Sequence, residues 1–290
     1  MKQAPLTTPV VTTLFVTLFF FSPLAAEDKP DTKSGADSPK KAEPSPAVME
    51  ARAHMSEFNV HSSAKGGDAV IDMLPHPVLT YGDAARDNGS GTLWAWGKSG
   101  RPVAFLELYR NVGDGQPWAH ALTLTSPELI QLDAPTGQRW TPKKSHFVLK
   151  DIPDSPEVSA QPVVRLRQMK EISRRFEAHE FWDPNNSRFE MRLLVQPVHR
   201  YQDGPAKLID GAVFVLAHGT NPEVLIQLEA DAADQPPRWK YSLVRSGSAE
   251  MHVSLDGKEV WTEPRTPGIV GRPVDPYWLF LAAPTQATAK

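Results

Sequence analysis

Apolar and polar residues alternate with a period of two through much of the chain from Thr92 onward. In TLWAWGKSGRPVAFLELYR (92–110), two aromatic and aliphatic runs flank a Gly-Lys-Ser-Gly turn, which predicts a β-hairpin. The segments WAHALTLT (118–125) and HFVLKDI (146–152) continue the alternation and are bounded by prolines. The pattern therefore predicts a sheet in the first half of the chain.

The second half shows the same period in three longer stretches. RFEMRLLV (188–195) is a single alternating run, whereas GAVFVLAHGTNPEVLIQLEA (211–230) has two apolar runs about a turn. RWKYSLVRSGSAEMHVSLDGKEVWTE (238–263) is interrupted at Ser246-Gly247 and at Asp256-Gly257, the second of which is a strong hairpin signal. Strands joined by such short turns pair antiparallel.

Two segments have helical periodicity instead. AVMEARAHMSEF (47–58) spaces its apolar residues three and four apart and predicts a short amphipathic helix. PVVRLRQMKEISRRFEA (162–178) predicts a central helix that begins with a proline and carries one apolar face, formed by Leu166, Met169, Ser173 and Phe176. The predicted fold class is α+β: mainly antiparallel sheet, as a meander of hairpins in two halves, with one central amphipathic helix and a short N-terminal helix.

The N terminus has the organisation of a signal peptide. Lys2 is followed by an uncharged apolar run from about Val10 to Phe21 and by the small residues of SPLAA, so we expect residues 1–26 to be removed after Ala26. The run is shorter than the roughly 20 residues that a bilayer span needs, so no transmembrane anchor is expected after cleavage. The predicted location is the periplasm, the cell surface or the extracellular space.

Residues 27–46 contain charges of both signs and prolines but no large apolar residue, which predicts a disordered linker. The composition from 47 to 284 is that of one β-rich globular domain, with two packed halves (47–156 and 157–284) as the alternative. Residues 285–290 are expected to form a flexible tail.

Composition excludes several chemistries. The chain has no cysteine, which excludes disulfides, thiolate zinc sites and cysteine nucleophiles. The formal charge is −3, and removal of Lys2 with the signal makes it −4, so nucleic-acid binding is not expected. The sequence contains no nucleotide-binding glycine motif and no zinc-peptidase motif, and no cofactor is predicted.

The stretch FEAHEFWDPNNSRFEM (176–191) holds the residues with most chemical potential. His179, Glu180 and Asp183, together with His218, are the candidate acid, base or catalytic residues of a hydrolase. The favoured interpretation is structural, because a histidine at the end of the predicted helix is stabilised by the helix dipole and Asp183 opens a turn. No metal site is predicted, since no second histidine lies at a helical or strand spacing from His179.

Eight tryptophans exceed ordinary usage and suggest either a large core or a surface on which sugar rings stack. Trp94 and Trp96 share one face of a predicted strand, and Trp182 lies between the candidate acids Glu180 and Asp183. These three are the candidate binding residues, with burial in the core as the favoured interpretation for all of them.

The stretches 165–201 and 210–230, together with GTLWAWGKSGRPVAFLELYRN (91–111), resemble a family of exported bacterial proteins whose function is uncharacterised. The resemblance implies no activity, cofactor or catalytic residue. The sequence favours an extracytoplasmic binding or interaction protein without catalytic activity, whose partner is an unknown small molecule or a component of the cell envelope. A secreted, cysteine-free hydrolase with a His/Glu/Asp site and a structural subunit of the envelope are the alternatives.

Overall fold

The computed structural model describes residues 45–282, with short gaps at 64–68, 84–87, 98, 112–115, 136, 234 and 268–269. Pro44–Lys290 forms one compact unit. The predicted signal peptide, the tail 285–290 and all but the end of the predicted linker lie outside the described residues. At that end, Ser45 caps the first helix, whose initial residue is Pro46, so the helix begins earlier than the predicted boundary at 47.

The helices are α1 (Pro46–Met55) and α2 (Pro162–Ser173). The strands are β1 (Asn59–Ser62), β2 (Leu79–Asp83), β3 (Asn88–Trp96), β4 (Ala104–Asn111), β5 (Trp118–Leu124), β6 (Ile130–Asp133), β7 (Arg139–Trp140), β8 (Lys150–Asp151), β9 (Phe176–Phe181), β10 (Arg188–Glu190), β11 (Arg192–Asp203), β12 (Leu208–His218), β13 (Asn221–Asp231), β14 (Arg238–Arg245), β15 (Glu250–Leu255), β16 (Lys258–Glu263) and β17 (Tyr277–Ala282). The predicted α+β fold class, with its antiparallel hairpins and two helices, is confirmed.

The first sheet has the strand order β17-β5-β4-β3-β2 and is antiparallel throughout. The predicted hairpin 92–110 forms β3 and β4, in which Trp94 lies opposite Leu106. Strand β17 comes from the C-terminal end of the chain, yet it pairs with β5 and places Leu279 opposite Ala121. The first sheet is therefore completed by residues that lie in the second half of the sequence.

The second sheet has the order β11-β12-β13-β14-β8, and here the early strand β8 joins the later hairpins. A third sheet, β10-β9-β15-β16, and a small fourth sheet, β1-β6-β7, complete the strand pairing. Since β17 and β8 each pair with strands from the other half, the boundaries at 156 and 157 do not separate two structural units.

The two large sheets pack face to face, and each is covered on its outer face. Alternation along β3 directs Leu93 and Ala95 toward Val213 and Val215 of the second sheet, while Trp94 points the opposite way. The outer face of the first sheet packs against α1 and the fourth sheet, and the outer face of the second packs against α2 and the third sheet. Four layers result, with apolar residues buried between each pair.

Helix α2 begins at the predicted Pro162 but ends at Ser173, not at Ala178. The residues from Phe176 onward form β9, where Phe176 pairs with Leu255 of β15. Strand pairing with a distant hairpin thus overrides the local helical spacing. The predicted buried face of α2 is correct at Met169 and Ser173, which are buried. It is wrong at Leu166, which is only partly covered, and it omits Arg165, which is buried.

Candidate functional site

Strand β9 separates the candidate residues that are adjacent in sequence. Its side chains alternate between the two faces, so Glu180 is fully buried, whereas His179 lies on the outer face and stacks on His252, with ring centroids 4.8 Å apart. Burial, Arg188 and His252 lower the pKa of His179. The predicted position of His179 at a helix end is wrong, and the two residues do not form one catalytic pair.

Asp183 shapes a turn rather than a site. Its carboxylate accepts hydrogen bonds from the backbone N–H of Ser187 (2.6 Å) and from the Ser187 hydroxyl (2.8 Å). These bonds close the loop between β9 and β10, which is the task that the sequence assigned to Asp183. Nothing in this arrangement brings Asp183 to Glu180 as a second catalytic acid.

Glu180 and His218 do meet, although 38 positions separate them in the chain. The Nδ1 of His218 donates to the Oε1 of Glu180 at 2.6 Å. The imidazole stacks on Phe189 with ring centroids 4.7 Å apart and meets the edge of Trp182 at 6.2 Å. Three of the candidates singled out in the sequence, Glu180, His218 and Trp182, therefore belong to one cluster.

Trp94 and Trp96 lie elsewhere and are fully buried in the core between the first sheet and α1. The indole N–H of Trp94 donates to the hydroxyl of Thr92 at 3.0 Å, so even its polar atom is used internally. Neither ring is accessible to a ligand, which removes both residues from the candidate binding set. Trp182 remains in it, with 41% of its surface exposed.

Beside Glu180 lies a cavity of about 110 Å³, which we call the acidic cavity. Its wall combines residues of the first sheet with the end of β9, the start of β13 and the segment that follows β14. Its lining residues are Glu107, Tyr109, Ala121, Glu180, Trp182, Asn221, Glu223, Ser246, Gly247, Ser248, Ala249, Tyr277 and Leu279.

Three glutamates from three different strands meet in this wall. The exposed fraction is 2% for Glu107 of β4 and for Glu223 of β13, and 0% for Glu180 of β9. The Tyr81 hydroxyl donates to Glu107, and the amide N–H of Asn221 donates to Glu223 at 2.8 Å. Burial of a carboxylate is costly even when it is hydrogen-bonded, and like charges add repulsion, so three glutamates in one wall mark a candidate functional site.

Gly247 gives the Glu223 carboxylate its space. A Cβ atom at position 247 would collide with the Oε2 of Glu223, so any larger residue there must displace the carboxylate or the turn. The close approach of backbone to a buried acid is a use that only glycine permits.

Burial and the negative charge of the acids together raise the pKa values of two neighbouring tyrosines. Burial, followed by the charge of Glu107, raises the pKa of Tyr81 well above its usual value. Burial, followed by Tyr109 and Glu107, does the same for the pKa of Tyr277. Both phenols therefore stay neutral and can serve as hydrogen-bond donors at any physiological pH.

One buried cation, Arg245, lies near the acidic cavity but is not among its lining residues. The buried guanidinium of Arg245 lies 5.1 Å from the centroid of the Tyr277 ring and donates to the carbonyl oxygens of Gly247, Ala249 and Pro264. Among the described residues that line the acidic cavity, none is a lysine or an arginine. The cavity wall itself is thus rich in carboxylates, with Arg245 offsetting part of their charge from outside.

Sequence reasoning missed Glu107 as a site residue. In AFLELYR it occupies the same face as Phe105 and Tyr109, and an acid at an inward position of an apolar strand was the available signal. Glu223 lies close to His218 and Asn221 in the sequence, but no local pattern indicated which distant residues its carboxylate would meet.

Within the ranges that the structure describes, no group of three or more histidine, aspartate or glutamate side chains is arranged to hold a metal ion. None of the helices in the described part of the chain is long and apolar enough to cross a bilayer. Comparison with protein-family models, with curated proteins and with solved structures finds no match to this chain.

Proposed function

We propose that the chain is an exported binding protein without catalytic activity, and that its ligand is a small positively charged molecule held in the acidic cavity. The observation that carries this proposal is the meeting of Glu107, Glu180 and Glu223, all almost fully buried, in the wall of one cavity. In a site of low dielectric, carboxylates attract a cation far more strongly than they do in water.

The aromatic part of the wall fits the same ligand class. Trp182, Tyr109 and Tyr277 line the cavity, and the faces of such rings attract organic cations. The volume of about 110 Å³ is smaller than the roughly 150 Å³ of a cavity that accepts benzene. This size favours a short alkylammonium group over a large ring.

A hydrolase is the second candidate, because the Glu180–His218 pair has the geometry of a carboxylate that orients a catalytic imidazole. The position of the pair favours binding instead. The described residues that line the acidic cavity include Glu180 but not His218, so the imidazole stands behind the carboxylate. A general base has to reach the ligand directly or through one water.

The cation proposal predicts that propylammonium binds the full chain and that 1-propanol, of the same shape but neutral, does not. We expect Glu107→Gln to weaken propylammonium binding by about tenfold or more, because a charged partner of the cation is lost. Isothermal titration calorimetry measures both affinities. Gly247→Ala should also reduce binding, since the new methyl group forces Glu223 from its place.

Glu177→Gln is the matched control, because Glu177 lies exposed on the outer face of β9. Its affinity for propylammonium should equal that of the unchanged protein, and a thermal unfolding curve should establish that each variant is folded. Equal binding of 1-propanol, or undiminished binding by folded Glu107→Gln, would contradict the proposal.

Export is tested separately. The charged start, the short apolar run and the small residues before Glu27 predict cleavage after Ala26 when the full chain is expressed in a bacterial host. N-terminal sequencing of the protein recovered from outside the cytoplasm should give Glu-Asp-Lys-Pro. A protein that still begins at Met1 would contradict export by a cleaved signal.

A further inference from the structure

A second cavity, of about 160 Å³, lies on the other side of Tyr277 from the acidic cavity. We call it the Trp261 cavity. It is bounded by the end of β14, by Trp261 of β16, by the segment that follows β16 and by the residues that lead into β17. Tyr277 lines both cavities, but their other walls differ.

The inner wall of the Trp261 cavity is apolar. Leu243, Val244 and Tyr277 are each buried, and the Trp261 ring and Pro276 complete the surface. The volume is close to the roughly 150 Å³ of a cavity that holds a single benzene ring. The space therefore fits one six-membered ring between aromatic and aliphatic side chains.

The rim carries an excess of positive charge. Two carboxylates line the cavity and both are already paired: Glu263 lies 3.8 Å from Arg245, and Asp275 accepts two hydrogen bonds from Arg272 at 2.8 and 3.0 Å.

Lys144 and Arg265 also line the cavity and are exposed, and neither is within ion-pair distance of a carboxylate in the described part of the chain. Arg265 gives one hydrogen bond, to the carbonyl oxygen of Phe181 at 2.9 Å, which holds its side chain in place. Lys144 also acts on Asp275, whose pKa its charge helps to lower, but neither cation is held in an ion pair within the described residues, so both contribute positive charge at the mouth of an apolar space.

Thr266 supplies an independent sign of a ligand. The residue lines the Trp261 cavity and is only 7% exposed, yet its hydroxyl has no hydrogen-bond partner among the described residues. Buried hydroxyls are almost always hydrogen-bonded, and a lone one beside a cavity needs a partner that the protein does not provide. The oxygen itself is closed to solvent in this conformation, so a ligand carboxylate accepts this hydrogen bond once the Thr266 side chain turns its hydroxyl toward the cavity.

We propose that the Trp261 cavity binds a small aromatic carboxylate. The ring occupies the apolar space beside Trp261 and Tyr277, and the carboxylate takes a hydrogen bond from Thr266 and lies in the field of Lys144 and Arg265. This site is distinct in charge and position from the acidic cavity, and its existence does not depend on the cationic ligand proposed there.

Benzoate is the probe, with benzyl alcohol and benzylammonium as neutral and cationic probes of similar size. Calorimetry on the full chain should show that benzoate binds with a Kd of about 1 mM or tighter. Benzyl alcohol and benzylammonium should each bind at least about tenfold more weakly than benzoate. Equal affinity for benzyl alcohol, or the absence of benzoate binding at about 10 mM, would overturn the proposal.

Two variants localise the site. The double change Lys144→Ala and Arg265→Ala removes exposed side chains, so folding should persist while benzoate affinity falls about tenfold. Thr266→Val keeps the shape of the side chain and removes only the hydroxyl, and it should weaken benzoate about threefold to tenfold without changing the binding of propylammonium.

Arg167→Ala, on the exposed side of α2, is the matched control and should leave the benzoate affinity unchanged. Undiminished benzoate binding by the folded double variant would show that the anion binds elsewhere and would overturn the assignment.

Discussion

Replacing Asp210 by alanine is expected to lower the free energy of unfolding by about 3–5 kcal/mol, since it leaves buried guanidinium charge without its partner. Asp210 lies buried on β12 and accepts from two arginines. Its Oδ2 receives the Nε–H of Arg165 at 2.8 Å, and both oxygens receive N–H groups of Arg200, at 2.8 and 2.5 Å.

The same arginines fasten the start of α2 to the second sheet. Arg165 also donates to the carbonyl oxygens of Ser159 and Ala160, and Arg200 donates to that of Pro162. One carboxylate therefore fixes the entry of the helix as well as neutralising two cations. Loss of Asp210 removes both effects, which is why the expected cost lies well above that of a surface pair.

Chemical denaturation with urea measures the effect. Arg139→Ala is the control, because Arg139 forms an ion pair with Asp133 while 63% of its side chain is exposed, and such surface pairs contribute about 1 kcal/mol or less. A loss at Asp210 no larger than the loss at Arg139 would show that the buried network does not secure α2.

The features that the sequence predicted correctly are those fixed by local contacts. The β3–β4 and β12–β13 hairpins follow from period-two alternation and from turn residues that act within a few positions. The start of α2 at Pro162 is equally local, because proline suits the first helical turn.

The errors arise where distant partners decide. Arg165 is buried although it lies outside the predicted apolar face of α2, because Asp210, 45 positions away, supplies its counter-charge. The strand β9 replaces the end of the predicted helix because β15 offers it hydrogen bonds. Neither partner can be identified from the spacing of residues near the element itself.

The candidate site, like the fold, could be predicted only in part. Glu180, His218 and Trp182 were singled out because acids, histidine and tryptophan cluster in or beside turns. Their association with Glu107 depends on how residues of three separate sheets meet at one cavity, which no local pattern encodes. The sequence thus named part of one wall of the acidic cavity and could not supply the opposite wall.

The buried histidine pair His54–His120 should make the protein lose stability as the pH falls below about 6.5. The Nε2 atoms lie 2.7 Å apart between α1 and β5, so one neutral ring donates and the other accepts. His120 is fully buried and stacks on Phe280 with ring centroids 4.4 Å apart. A positive charge on His120 would be shielded from solvent and would have no carboxylate within hydrogen-bond distance of the ring in the described part of the chain.

Both pKa values shift in the direction that this environment requires. Burial, followed by repulsion from His54, lowers the pKa of His120 from 6.5 to about 3. Burial also lowers the pKa of His54, although Glu57, just beyond α1, and Glu50, on α1, oppose the shift. Both groups are therefore neutral in the folded protein at pH values where their unfolded counterparts already bind protons.

The sign of the effect follows from proton linkage. Below about pH 6.5 the unfolded chain binds more protons at these positions than the folded chain does, so acid favours unfolding until the pH approaches the folded pKa of about 3. From the shift of His120 alone, the free energy of unfolding should fall by about 2 kcal/mol between about pH 7 and about pH 5. This window lies above the range in which most carboxylates titrate.

Urea unfolding at a series of pH values tests the expectation. The informative quantity is the slope of the free energy of unfolding against pH, not the free energy at any one pH. His120→Gln retains an amide that can bond His54 but does not titrate, so the loss between about pH 7 and about pH 5 should become much smaller in this variant. An unchanged slope in folded His120→Gln would assign the acid sensitivity to other groups.

His252 provides a control of opposite sign. Burial opposes protonation of this ring, but hydrogen bonds with Glu259 and Glu250 outweigh it and raise the pKa of His252. A histidine with a raised pKa stabilises the folded state below its unfolded pKa, and that contribution is lost as the pH rises through the folded value. His252→Gln should therefore steepen the loss of stability on acidification, whereas His120→Gln flattens it, and a change in the same direction for both would contradict the assignment of the two rings.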